Sequence, residues 1–201
     1  LFHELTRRGD LEKVKRGIDK ALKVGLKVKI NTVALKETNE NELINIMNWA
    51  HSKGCDITFI ETMPLGEIDV DRTDQFLPLS KVKEMFSKYY KLSPSKHYTG
   101  GPSRYYDNEE TGHRVGFITP LTHNFCELCN RVRLTCTGKL YMCLGQEDSA
   151  DFTQAARSEN WKIELKNAIT EAISRKPKGH DFVIRRKHSP SVNRHMSVTG
   201  G

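Results

Sequence analysis

The chain has 201 residues, enough for one large domain or two small ones, and its hydrophobic fraction of 37% can still form a core. Its 32 lysines and arginines outnumber its 25 aspartates and glutamates, giving a formal net charge of +7, so the partners it favours are anionic: nucleotides, nucleic acid or an acidic surface. No stretch approaches the roughly 18 apolar residues of a membrane helix, and the opening Leu-Phe-His-Glu-Leu-Thr-Arg-Arg lacks the apolar segment of a signal peptide.

The first third alternates helix and strand signals. Asp10 is placed to cap a helix whose apolar residues Leu11, Val14, Ile18, Ala21 and Leu22 recur at helical spacing, with Gly25 as its stop. Val28 to Leu35 reads as a strand. Asn39 with Glu42 resembles a capping box opening a helix through Leu43, Ile46, Met47 and Ala50 to Gly54. Asp56 to Glu61 reads as a second strand. This strand, helix, strand order predicts a βαβ unit in a parallel sheet or barrel. Pro64, Gly66 and the acidic stretch to Asp74 mark a boundary, dividing the chain into residues 1–70 and 71–201. Beyond it, Ser80 to Tyr90 is predicted helical, with Val82, Met85, Phe86 and Tyr89 on one face. Arg104 to Asp107 and Arg114 to Ile118 suggest a hairpin around Asn108 to Gly112. Trp161 to Ile173 reads as an amphipathic helix. The last residues, Arg185 to Gly201, are polar and basic, a composition that predicts disorder. The chain begins on Leu1, which suggests a piece of a longer protein.

Cys126, Cys129 and Cys143 form the pattern C-x2-C-x13-C. With no secretory signal, an odd set of five cysteines points to a reducing, cytoplasmic setting and to metal binding before disulfides. Three thiolates leave one position of a metal centre open. An iron–sulfur cluster fits this donor set. Zinc closed by His123 also fits, as do ordinary buried thiols, and Cys136 could replace Cys143. Cys55, beside a strand, reads as a core residue. Arg131 and Arg133 stand two apart, so extended backbone would point both to one side, where they could clamp a phosphate. Lys29 is unusual in a buried parallel strand and must reach solvent or a polar site. Met63 follows the second strand and could be simple packing. No phosphate-binding loop and no G-x-G-x-x-G is present. The basic runs near Arg175 and Arg185 lack aromatic interleaving, which argues for a solvated surface over nucleic-acid binding.

The run Thr122-His-Asn-Phe-Cys-Glu-Leu-Cys-Asn-Arg-Val-Arg-Leu-Thr with Gly138-Lys-Leu-Tyr-Met-Cys-Leu144 resembles the C-terminal cluster motif of the GTP 3′,8-cyclase family, radical S-adenosylmethionine enzymes of molybdenum cofactor biosynthesis. Thr6-Arg-Arg-Gly-Asp-Leu-Glu-Lys-Val, Val28-Lys-Ile-Asn, Phe59-Ile-Glu-Thr-Met-Pro-Leu-Gly, Lys176-Pro-Lys-Gly-His180 and Met196-Ser-Val-Thr-Gly-Gly201 extend the resemblance along the chain. It implies an α/β fold: the last strand–helix units of a partial (β/α) barrel, then an α+β C-terminal iron–sulfur domain. It implies a [4Fe–4S] cluster on Cys126, Cys129 and Cys143. GTP would be contacted by Lys29, Arg131, Val132 and Arg133. Met63 would lie against S-adenosylmethionine, and the Gly200-Gly201 tail would enter the active site beside Arg131 and Arg133. A second [4Fe–4S] cluster belongs to the family's C-x3-C-x2-C motif, which this sequence does not contain. Thr58 stands where many members carry arginine. The implied partners are GTP and a second copy of the chain, without nucleic acid or membrane, in the cytoplasm. The rival expectation is a zinc-containing nucleic-acid-binding module without catalysis.

Overall fold

The computed structural model describes residues 1–63, 65, 72–123, 125–180, 182, 192 and 194. Pro64, Gly66 and the Gly200-Gly201 tail, singled out above, lie outside the described residues.

Helices α1 (Phe2–Leu5) and α2 (Leu11–Lys23) come first. Asp10 caps α2 as its position predicts, its carboxylate accepting from Lys13 N at 3.1 Å. Gly25 takes φ +81°, the left-handed turn that stops the helix. The apolar face is only partly used: Leu22 packs on the main core, whereas Leu11 and Val14 stay 40% and 44% exposed.

Strand β1 (Lys29–Ala34), helix α3 (Leu43–Ser52) and strand β2 (Asp56–Glu61) make the expected βαβ unit, with β1 and β2 parallel. Asn39 does not cap the helix. Its Oδ1 accepts from Leu35 N at 2.8 Å and its Nδ2 donates to Val33 O at 2.9 Å. The amide finds its partners in β1 and in the residue just after it, so it closes the turn after β1. A 3-10 turn, Glu40–Glu42, then leads into α3.

Helices α4 (Arg72–Gln75) and α5 (Leu79–Ser87) precede strands β3 (Leu92–Pro94), β4 (Arg104–Asn108) and β5 (Arg114–Ile118). The predicted hairpin forms from β4 and β5. β5 also lies parallel to β2, so the sheet runs β1-β2-β5-β4-β3. It is therefore mixed: three parallel strands extended by β4 and β3, each paired antiparallel to its neighbour, with strands from both sides of residue 70.

Alternation gives this sheet two unlike faces. Ile57, Phe59, Val115 and Phe117 face α3 and α5, packing with Leu43, Met47, Val82 and Phe86 in the main core. Phe86 meets Phe59 edge to face at 5.1 Å between centroids. On the other face, the register aligns Asn31, Thr58, Gly116 and Tyr105 across four strands. Lys29, Asn31 and Val33 are exposed there.

The remaining elements form a second unit. Strands β6 (Arg133–Leu134), β7 (Lys139–Tyr141) and β8 (Ser149–Asp151) make an antiparallel sheet, followed by α6 (Thr153–Arg157) and α7 (Trp161–Ser174). Leu140, Met142, Phe152 and Ala172 form its smaller core.

Candidate functional site

The approach to the cysteines begins at the end of β2. Glu61 is fully buried, yet its carboxylate is well satisfied. It accepts from Leu121 N at 3.1 Å, Thr122 N at 3.2 Å, Thr122 Oγ1 at 2.6 Å and Leu79 N at 3.3 Å. One side chain thus ties the end of β2 to the start of α5 and to the turn that leads into the cysteine segment. From the other side, His180 Nε2 donates to Pro120 O at 2.6 Å, while its Nδ1 accepts from Phe182 N at 3.2 Å.

Cys126 opens a 3-10 turn, Cys126–Leu128, and Cys129 N closes it onto Cys126 O at 3.0 Å. The chain then extends into β6, turns at Thr135 to Gly138 and returns as β7. The register pairs Arg133 with Tyr141. Continued outward by two residues, it sets Arg131 opposite Cys143. The thirteen residues between Cys129 and Cys143 are therefore a hairpin that brings the third cysteine back to the first two. Cys136 sits exposed in the turn of that hairpin, away from the others. Cys55 is fully buried in the main core, as its place beside a strand suggests.

The hairpin brings the three thiols close enough to act on one another. Burial pushes the Cys126 thiol up, and neighbouring Cys143 and Cys129 push it further. Lys176 and Arg131 pull it the other way. Arg131 Nη2 donates to Cys129 Sγ at 3.4 Å and its guanidinium lies 5.5 Å from the centre of the Phe125 ring. Gly145 N donates to Cys143 Sγ at 3.4 Å. Among the described residues, no set of three His, Cys, Asp and Glu side chains converges as ligands of a single metal ion, and His123 is exposed. A cluster makes a different demand: each thiolate binds its own iron, so the sulfurs need not meet at one point. Three neighbouring thiols with two cations at their side fit that donor set.

A cleft of about 690 Å³ opens beside this segment. Tyr98, Arg104 and Tyr105 border it on one side, Phe125, Cys129 and Arg131 on the other, and Lys178 adds a further cation. Arg133 begins β6 and Val132, 39% exposed, lies between the two arginines. Lys29 takes the polar option its strand position allowed: its Nζ donates to Tyr105 Oη at 2.9 Å. Tyr105 is itself 4% exposed and reaches across Gly116 and Thr58 to meet it. Burial alone pushes the Tyr105 phenol up. The Lys29 and Thr99 contacts, the nearby Ser103 hydroxyl and the Lys29 charge outweigh it and hold the phenol below its usual range. Thr58 Oγ1 and Ser103 Oγ are buried without a hydrogen-bond partner. Met63 is half-buried just beyond β2. Of the residues expected at the site, the cleft borders Cys129 and Arg131, and Lys29 reaches it through Tyr105.

Sequence reasoning assigned no role to Glu61, Tyr105, Lys176 or His180. A carboxylate ending an apolar strand was the one local signal for Glu61. Each of the four has a defining partner distant in sequence: Leu121 for Glu61, Lys29 for Tyr105, Arg131 for Lys176 and Pro120 for His180.

Residues 55–182 match the family model described as Molybdenum Cofactor Synthesis C. The whole chain is 60% identical to a protein of Mesorhizobium japonicum named GTP 3′,8-cyclase, covering 61% of that relative. It is 59% identical to proteins of the same name from Brucella canis and Sinorhizobium medicae, covering 58% of each. The chain thus spans about three fifths of the length of these curated relatives. With nearly two thirds of its residues inside that match, the chain belongs to the Molybdenum Cofactor Synthesis C family.

Proposed function

We propose that this chain is the cluster- and nucleotide-binding C-terminal portion of a GTP 3′,8-cyclase, which forms 3′,8-cyclo-7,8-dihydroguanosine triphosphate from GTP in molybdenum cofactor biosynthesis. The observation that carries the reading is the cleft bordered by Cys129 and Arg131, beside the hairpin that returns Cys143 toward Cys126 and Cys129. Relatives of that name, 59% to 60% identical over the entire chain, support it.

On this reading Cys126, Cys129 and Cys143 hold a [4Fe–4S] cluster by three irons. When bound, the cluster would offer its open iron to the guanine edge, while S-adenosylmethionine and a second cluster outside this chain would supply the radical chemistry. The chain's own residues bind and orient the nucleotide. Arg131, Arg133 and Lys29 offset the triphosphate charge, with Arg104 and Lys178 adding to the positive wall of the cleft. Val132 borders the nucleotide between the two arginines, and Phe125 keeps Arg131 in place by stacking under its guanidinium. Tyr105 fixes the Lys29 ammonium at the open face of the sheet. Met63, at the end of β2, lies toward S-adenosylmethionine, and Gly200-Gly201 complete the site from the tail. The β1–α3–β2 unit within residues 1–70 serves as the last part of a (β/α) barrel, with residues 71–201 as the cluster domain. The assembly is a cytoplasmic homodimer.

Anaerobic reconstitution tests this reading, with iron, sulfide and zinc counted on the chain and on Cys126→Ala. About four irons per chain with broad visible absorption, lost in the variant, are expected. Bound GTP should resist displacement by ATP in equilibrium dialysis. Stoichiometric zinc without colour, or binding indifferent to the base, would replace it with the zinc module.

A further inference from the structure

We infer that Lys176 is a positioning residue: it fastens the two cysteine-bearing segments to each other and supplies a fixed charge beside them. This rests on the reading of Cys126, Cys129 and Cys143 as cluster ligands.

Lys176 lies two residues beyond the end of α7. Its ammonium donates to Arg131 O at 2.9 Å and to Met142 O at 2.5 Å. Arg131 follows Cys129 by two positions, and Met142 is adjacent to Cys143. The β6–β7 ladder ends at Arg133 and Tyr141. Just past that point, Lys176 takes over the work of a cross-strand bond and holds the two segments at a set separation.

Both acceptors are neutral carbonyls, and no carboxylate pairs with Lys176 among the described residues. Its charge is therefore left to act on its surroundings. That places a cation beside the backbone that carries Cys129 and Cys143, the two segments whose thiolates would carry negative charge. A partly buried ammonium with both bonds made to backbone is a fixed charge, and such a charge is screened less than one on a solvated side chain.

The rest of its segment acts with it. His180 holds Pro120 in the turn before Cys126, and the Phe182 ring covers Gly145, where an added Cβ would lie 2.5 Å from the ring. The segment from Lys176 to Phe182 thus touches the approach to the first cysteine, the run after the second and the loop after the third.

The test compares the wild-type chain with Lys176→Met and Lys176→Arg after anaerobic loading, reading iron content, iron loss to a chelator and the reduction potential. Lys176→Met is expected to lose iron about tenfold faster, the usual scale for a residue supporting metal ligands. The cluster it retains should have a more negative potential, because reduction adds negative charge that the missing cation would have favoured. Lys176→Arg keeps the charge and a donor and should restore the potential to the wild-type value. A merely structural role would leave the potential where it was. Lys176→Met matching wild type in iron loss and in potential would overturn the inference alone, as would Lys176→Arg failing like the methionine variant. A wild-type chain that takes up no iron would overturn the cluster reading, and the inference with it. If Lys176→Met does not fold, Lys176→Gln takes its place under the same criteria. Failure of both neutral variants to fold would also sink the inference, which confines the role of Lys176 to the cysteine segments.

Discussion

Glu61 shows how one side chain can organise a site without entering it. A buried carboxylate is costly unless its lone pairs are filled. Here one oxygen accepts from Leu79 N and Thr122 Oγ1, the other from Leu121 N and Thr122 N. Removing it leaves the backbone donors of Leu79, Leu121 and Thr122 without this partner. Glu61→Ala is therefore expected to cost about 2–4 kcal/mol, the range for hydrogen bonds to a buried charged group once the orphaned donors are included. Urea unfolding followed by circular dichroism would measure it, and an unchanged midpoint would refute the argument. Among single residues, those whose signal is local were legible in the sequence: Asp10 as a cap, Cys55 as core, and the clustered cysteines. Glu61, Tyr105 and Lys176 were not, because what defines each is a partner that only the folded chain brings near. Lys29 falls between. Its oddity on a strand was visible, but Tyr105 as its partner depends on four strands being in register.

At the level of elements, the same division holds for a physical reason. The βαβ unit and the β4–β5 hairpin depend on neighbouring residues, and both form as their patterns predict. The return of β5 to lie beside β2 joins residues far apart in the chain, so no periodicity announces it, and the mixed character of the sheet emerges only on folding. Its consequence is the crowded column of Thr58, Gly116 and Tyr105. A Cβ at position 116 would lie 2.2 Å from Ser103 Oγ, 2.6 Å from Thr58 Oγ1 and 3.0 Å from Tyr105 Cε1. Ser103 can swing its hydroxyl away. Thr58 is β-branched and fully buried, and Tyr105 is held by Lys29. Gly116→Ala should therefore destabilise the chain by about 1–3 kcal/mol through overpacking. It should also release Lys29, visible as a shift of the Tyr105 phenol back toward its usual range in an ultraviolet pH titration. A variant as stable as wild type, with the same phenol titration, would show that the column has slack.

The molecule as a whole is built on two unequal cores. Among the described residues, the larger one packs thirteen buried residues around Phe59, Phe86 and Phe117, while the smaller consists of Leu140, Met142, Phe152 and Ala172. Two of the joints between the units are polar, Glu61 with the 121–122 turn and His180 with Pro120, and Leu65 also bridges to Val192. Apolar burial sets the local stability of a segment, and hydrogen-bonded joints add less per contact. The cluster-bearing sheet should therefore open more readily than the mixed sheet. Native-state hydrogen exchange would resolve this. In the metal-free chain, amides of β7 should lose protection at lower urea than those of β2. Metal or cluster bound to the three cysteines should close that gap by stabilising the smaller unit alone, since a ligand stabilises only the state that binds it. Coincident loss of protection in the metal-free chain would mean that the polar joints make the two units one cooperative structure. In that case, mutations at Glu61 or His180 would be felt equally in both sheets.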